Sequence, residues 1–366
     1  MNTPELIYQI ALTQLKGIGP VKAKSIISKL DTIECLFKEK IEVLEKRTGF
    51  NKKALYQMER EEALLIAKKQ IGFIKKQKIK CHFYTSSSYP RRLKECSDAP
   101  LLLFSKGELE CNISKVVSIV GTRNATEYGR KICEDLIKDF IGKDILVISG
   151  MAYGIDIYVH NLCVKYNIPT IGVLGHGLDR LYPNQHLETA NKMMKNGGLL
   201  TEYLPGTNPD RENFPMRNRI VAGMSDATIV IESKEKGGSL ITADLANQYN
   251  KDVFAYPGNV GQEFSKGCNQ LILDQKAHLL LNGNAFLKWM DWEEKKVPQK
   301  EVQRSIFVDL NSEEKLIVEI ITEGALHIDI ISSKTKVPIS KINILLFNLE
   351  MNGVIQSLPG KMYKLI

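Results

Sequence analysis

The chain has 366 residues, 43% of them hydrophobic and 25% charged, the composition of an ordinary globular protein. That excludes disordered, collagen-like and disulfide-scaffold classes, and no apolar run approaches the roughly 20 residues of a membrane span. The seven cysteines are scattered, with no Cys-x-x-Cys pair and no Cys/His cluster, which points to a reducing cytosol and away from zinc. The start, Met1-Asn2-Thr3-Pro4-Glu5, lacks the basic region and apolar core of a signal peptide, so a cytoplasmic protein without a membrane partner is expected. The net charge of +8 is unevenly placed: residues 1–110 hold 21 Lys and Arg against 13 Asp and Glu, residues 111–290 hold 19 against 18, and residues 291–366 hold 10 against 11. A cationic first third suits a polyanion, nucleic acid or a membrane surface, although a solvated lysine-rich helical surface gives the same count.

Residues 3–75 read as short helices, with Leu6, Ile7, Ile10, Ala11 and Leu15, then Ala63, Leu64, Ala67 and Ile71, at helical spacing. Between them, Leu15-Lys16-Gly17-Ile18-Gly19-Pro20-Val21-Lys22-Ala23-Lys24 resembles a helix-hairpin-helix element, in which glycines bring backbone N–H groups to a DNA phosphate. A plain interhelical turn is the competing reading. From about 116 to 290, apolar β-branched runs alternate with helical stretches. The runs are Val116–Val120, Ile145–Ile148, Thr170–Leu174, Gly198–Glu202, Ala227–Ile231 and Val253–Tyr256; the helical stretches include 129–141, 156–166, 186–196 and 240–250. This pattern predicts a parallel sheet covered on both faces. Residues 291–305 read as a charged linker. Beyond them, Ser312 caps a helix through Ile321, His327–Ser333 and Ile339–Met351 follow, and Val354–Leu358 and Lys361–Leu365 flank a Pro359-Gly360 turn. Three helices and a hairpin make a winged helix.

The expected fold class is therefore α/β: an extended Rossmann-like parallel sheet flanked by an N-terminal helical (helix-hairpin-helix or SAM-like) domain and a C-terminal winged helix. The expected boundaries are 1–78, 79–290, a linker at 291–305, and 306–366. Ligands collect at the carboxyl ends of parallel strands. Those ends carry Gly121-Thr122-Arg123, Ser149-Gly150-Met151-Ala152-Tyr153-Gly154, Gly175-His176-Gly177, Gly237-Gly238-Ser239 and Pro257-Gly258. One such loop serves many purposes, but five on one edge point to an extended phosphate-binding surface. Arg211, Phe214, Arg217 and Arg219, in a segment expected to precede a helix, mix cations with an aromatic ring as single-stranded nucleic acid requires. Arg217 and Arg219 serve equally well as structural ion pairs. There is no P-loop and no Gly-x-Gly-x-x-Gly after the first strand, so no nucleotide cofactor is expected. Asp156 and His160 share a helix face without a third ligand, and no nucleophile elbow is present, so neither a metal nor a catalytic residue is assigned.

Together these motifs resemble the DNA-processing protein A (DprA, or Smf) family. The resemblance runs from Tyr89-Pro90 and Asp98-Ala99-Pro100 through Ser118–Arg123, Ser149–Asp156, Phe214–Ala227 and Gly238–Ala243 to Val253–Gly258. It implies a protein that binds single-stranded DNA, forms a homodimer, protects the strand and helps load the RecA recombinase in natural transformation. By the resemblance, Arg123 is the arginine of the family's Val-Gly-x-Arg turn, Arg211 stands where a lysine is usual, and Phe214 is the base-contacting ring. The candidate DNA-binding set is Gly121, Thr122, Arg123, Ser149, Gly150, Tyr153, Gly154, Arg211, Phe214, Arg217, Arg219, Gly238 and Ser239. Tyr153 departs from the family's arginine, which removes one cation and offers a stacking ring. Two alternatives remain open. One is a Rossmann-like enzyme of the lysine-decarboxylase-like group cleaving a nucleoside monophosphate, which needs a Pro-Gly-Gly-x-Gly-Thr loop that Gly237-Gly238-Ser239 does not supply. The other is an interaction scaffold.

Overall fold

The computed structural model describes residues 3–293, 310–322, 324–358 and 360–365. The chain divides into two compact units, Met1–Glu294 and Lys295–Ile366. Most of the expected linker, from 294 onward, lies outside the described residues.

The first unit is built on nine strands: β1 Lys80–Phe83, β2 Leu102–Gly107, β3 Lys115–Val120, β4 Ile145–Ser149, β5 Thr170–Val173, β6 Gly197–Thr201, β7 Ala227–Val230, β8 Asp252–Ala255 and β9 His278–Leu279. Their order across the sheet is β1-β2-β6-β5-β4-β3-β7-β8-β9. The run from β6 to β9 is parallel, while β2 joins β6, and β1 joins β2, antiparallel. The six apolar runs read from the sequence correspond to β3–β8, displaced by no more than a residue or so at the ends. β1, β2 and β9 were not read from the sequence, although β2 opens on the apolar run Leu101–Phe104.

Alternation along the strands divides the core. Val117 and Ile119 of β3 face helices Glu127–Asp139, Ile155–Lys165 and Gly283–Trp289 through Leu136, Val159 and Phe286. Val116 and Val120 face the opposite side, against Ile220, Val221 and Ala243 of helices Asn213–Met224 and Gly238–Gln248. Strands buried on both faces need apolar residues at every position, which is why they read as continuous runs. The six N-terminal helices, between Thr3 and Lys76, enclose a third core. It takes in Cys81, Phe83, Leu102 and Phe104, so the division at 78/79 is a change of secondary structure and not a break in packing.

One expectation needs correction. Residues 213–224 are themselves a helix, so Arg217 and Arg219 stand on it and not in a loop before it. From Arg217 onward this helix is enclosed on most sides and shows no polar stripe in the sequence.

Arg92 locks the sheet to the segment before it. Its Nε and Nη2 reach Asp226 at 2.5 and 2.8 Å, and Nη1 and Nη2 reach the carbonyls of Ile113 and Ser114 at 2.9 and 2.7 Å. Asp226 also accepts the N–H of Val116 at 2.9 Å, fixing where β3 begins.

The second unit has helices Ser312–Ile321, Ile328–Thr335 and Ile339–Met351, with strands β10 Leu326–His327, β11 Ile355–Leu358 and β12 Met362–Leu365 in the order β10-β12-β11. It is a winged helix around Ile317, Ile331, Ile342 and Leu346. Asn311, not Ser312, caps its first helix, in a capping box with Glu314.

Arg92→Ala leaves Asp226 without its cation and is expected to lower unfolding free energy by about 3 kcal/mol. A urea titration of the full chain, comparing midpoints at equal slope, measures it.

Candidate functional site

The chain order reverses at β3: after β6 it returns to the far side of β3 as β7, the arrangement that parts the loops at carboxyl ends. A cleft opens along this edge. Its wall comes from Arg123 after β3, Met151–Tyr153 after β4, Leu174–His176 after β5, the cis-linked Tyr182–Pro183 pair, and Phe214 and Arg217 of helix Asn213–Met224.

Two glycines permit this convergence. Gly154, at φ +79°, lies so close to the β3 turn that a Cβ would sit 2.1 Å from the Thr122 carbonyl oxygen. That carbonyl accepts the N–H of Ile155 at 3.1 Å, so the turn Gly121-Thr122-Arg123 rests on the start of the next helix. At Gly150 a Cβ would lie 2.4 Å from Asp156 Oδ2 and 2.7 Å from both terminal nitrogens of Arg217. Only a bare backbone leaves room for that buried carboxylate and guanidinium at the same point. Burial pushes the Asp156 carboxyl up to about 6, against the pull of Arg217 and the N–H of Ala152. Above that value it is ionised and attracts the Arg217 guanidinium. Arg217 also donates to the carbonyl of Val173 at the end of β5.

Above this pair the surface is aromatic and cationic. The exposed Arg123 guanidinium stands 5.8 Å from the Phe214 ring centre, and Tyr182 is 6.2 Å beyond at 45°. Tyr153 is exposed, edge-on to His186 at 5.1 Å, and its hydroxyl donates to Gln185. His176 is buried behind Tyr182. Its Nδ1–H donates to the Gly177 carbonyl at 2.9 Å, and its Nε2 accepts the Tyr182 N–H at 3.2 Å, which requires the neutral ring. Burial lowers its pKa accordingly.

The cleft thus gathers Arg123, Tyr153, Phe214 and Arg217 from the expected set, with Gly121, Thr122, Gly150 and Gly154 shaping its backbone. Arg211 is exposed in the loop before Asn213. Ser149 is wholly buried and donates to the Ile119 carbonyl at 2.6 Å, so it is interior. Arg219 faces away, paired with Glu202 and donating to the Asp98 carbonyl at 2.7 Å. Gly238 and Ser239 begin a helix beyond β7; Gly238 is exposed, while Ser239 bonds Ser233 Oγ at 2.8 Å. In the N-terminal hairpin, Lys16 is tied to Glu59 and sits 3.5 Å from Glu62, and Lys24 approaches the Ser97 carbonyl at 3.4 Å. Only Lys22 of those three stays exposed without a described partner, which weakens the hairpin as a phosphate site. Sequence reasoning missed Tyr182 and Pro183; a ring-proline pair beside a glycine-rich strand end was the available signal.

Residues 80–291 match the family model of DNA recombination-mediator protein A, and residues 308–361 match the DprA winged helix domain. The chain belongs to the DNA recombination-mediator protein A family. Protein Smf of Synechocystis is 31% identical over the full length of both chains. DNA processing protein DprA of Bacillus subtilis is 41% identical over 51% of this chain and 64% of its own. Among solved structures, DprA of Streptococcus pneumoniae superposes with a TM-score of 0.66 at 30% identity, covering 77% of this chain and 97% of that one. DNA processing protein A of Helicobacter pylori, described for its single-stranded DNA binding mode, gives 0.53 at 26% identity, covering 58% and 95%.

Buried histidines set the response to acid. His160, held by the Gly150 carbonyl at 2.7 Å, is lowered to about 4 by burial, and His82 and His176 are lowered too. An unfolded histidine takes its proton near pH 6.5 while these refuse it, so stability is full above that pH and falls below it. Asp156 acts oppositely, since its folded carboxyl protonates before the unfolded one does, and offsets part of the loss between pH 6 and 4. The urea midpoint is expected to be lower at pH 5.5 than at pH 7.5, with a smaller drop in His176→Gln.

Proposed function

We propose that this member of the family binds single-stranded DNA in the cleft at the carboxyl ends of β3–β5, without a chemical step. The observation that carries the reading is the exposed Arg123 guanidinium beside the Phe214 ring, within a wall that includes Tyr153 and Tyr182. A single strand presents phosphates and unstacked bases together, and a cation next to flat rings meets both. Arg211, two residues before the helix that carries Phe214, adds a second exposed cation. Tyr153, where the family has arginine, contributes a ring in place of a charge. Family membership, together with the single-stranded DNA binding of the Helicobacter pylori relative, supports the same assignment. Protection of the strand, loading of RecA and a cytoplasmic setting follow from that membership as parts of the proposal.

A homodimer belongs to it as well. The edge strand β9 leaves Leu279 exposed, and Leu273, Leu281 and Trp289 are exposed near it in the chain. An open sheet edge beside apolar side chains is the kind of surface a second copy covers.

The winged helix is assigned to protein contact. A helix that reads DNA brings several cations or amides to groove and backbone. Here Ile339–Met351 carries one lysine, Lys341, bound to Glu313 at 2.6 Å, while Ile344, Phe347 and Met351 are exposed.

Single-stranded oligonucleotides should bind more tightly than duplex, with a log–log salt slope near −0.7 per neutralised phosphate. Equal affinity for duplex, or no salt dependence, would overturn the reading. Arg123→Ala and Arg211→Ala should each weaken binding on every sequence and make the slope shallower by roughly one phosphate's share. Phe214→Ala should cost about 1–3 kcal/mol with the slope nearly unchanged, because stacking releases no ions. Removing residues 306–366 should leave single-strand affinity within about threefold, well under the 1.4 kcal/mol of a tenfold change; titration beside the full chain at matched salt decides it.

A further inference from the structure

Helix Arg60–Lys76 and the residues just after it bear six exposed lysines: Lys68, Lys69, Lys75, Lys76, Lys78 and Lys80. Among the described residues, none of the six forms an ion pair, whereas Lys16, Lys38 and Arg47 of the same helical region all do. Much of the surplus charge of the first third is concentrated here, away from the cleft.

A groove runs beside this helix. Phe73 and Gln77 form one of its walls, and Lys69 and Lys76 flank that wall by helical spacing, about 10 Å apart along the axis. Lys106 of β2 lies within the groove, and its ammonium touches Gln77 Oε1 at 3.4 Å. The opposite wall is Leu178–Leu181 with Leu187 and Asn191. Its one acid, Asp179, is already met by Arg180 Nε at 2.9 Å and by the Gly206 N–H at 2.7 Å. Tyr182 and Pro183, the next residues of that wall, line the cleft. One loop therefore separates the two depressions.

We propose that this groove is a second nucleic-acid subsite, taking the stretch of single strand that leaves the cleft over the Tyr182–Pro183 corner. Lys69, Lys76 and Lys106 meet its phosphates, and the half-exposed Leu187 beside Phe73 gives its bases an apolar seat. Three cations along a concave surface match an extended polyanion, and continuity with the cleft makes the bound strand the occupant. The inference rests on the cleft being a single-strand site.

The test uses the full chain, a thymidylate hexamer short enough to occupy the cleft alone, and a thymidylate 30-mer. In Lys69→Ala/Lys76→Ala, affinity for the 30-mer should fall about tenfold and its salt slope become shallower by roughly 1.4, two phosphates' share. Hexamer affinity should be unchanged, and Lys69→Arg/Lys76→Arg should restore the slope. Arg123→Ala should weaken both ligands. The subsite is overturned if the double alanine variant binds the 30-mer like wild type while Arg123→Ala does not. It is also overturned if the double variant loses equally on both lengths, since the lysines would then act only through the general field. If wild type binds neither oligonucleotide, the cleft itself has been misassigned.

Discussion

Beneath the cleft, the buried carboxylate of Asp156 and the buried guanidinium of Arg217 both crowd the bare backbone of Gly150, and the arrangement above depends on their mutual attraction. Two charges enclosed in a low-dielectric interior are stable only together, and removal of either leaves the other unpaired. Asp156 belongs to the helix after β4 and Arg217 to the helix before β7, so the pair joins segments 61 residues apart. Arg217 also reaches the end of β5 through the Val173 carbonyl. With that helix fixed, Phe214, one turn earlier, is delivered to Arg123 at the end of β3. What the cluster determines is the position of a ring and a cation.

The two other buried arginines perform related work at the periphery. Arg92 ties Asp226 and the start of β3 to the preceding segment. Arg219 joins the same helix as Arg217 to Glu202, just past β6, and leaves Arg219 Nε and Glu202 Oε1 buried without hydrogen-bond partners. Each such unsatisfied group costs free energy, so this pair holds position more than it adds stability. Guanidinium suits the Arg92 and Arg219 sites because its planar fork reaches a carboxylate and a carbonyl at once.

Charge is divided unevenly among the parts. The sheet supplies few exposed cations at the cleft, whose wall is largely aromatic, and the N-terminal helices supply lysines in quantity. The winged helix, with its near-neutral balance and exposed Ile344, Phe347 and Met351, presents a surface of another kind. A strand crossing from cleft to lysine groove would meet stacking first and counterion exchange second, two interactions with different salt dependence.

The strands β3–β8 were legible in the sequence because a buried parallel sheet demands apolar residues at nearly every position; the antiparallel β2 was missed although Leu101–Phe104 is also an apolar run. The glycine-rich loops at their carboxyl ends were legible for a similar reason: close backbone approach admits no other residue, as Gly150 and Gly154 show. Arg123, Arg211 and Phe214 stood out in the residue pattern, and the family resemblance gave each a role. The fate of each arginine was not legible. Arg123, Arg217 and Arg219 have the same chemistry in sequence, yet one faces solvent beside a ring, one is buried against Asp156 and one against Glu202 on the other side of its helix. Tyr182, Lys69 and Lys76 likewise gain meaning only from neighbours remote in the chain. Local sequence determines which elements form, through side-chain periodicity and backbone freedom. Which side chain faces water and which faces a partner is a property of packed surfaces, and only the tertiary structure decided it.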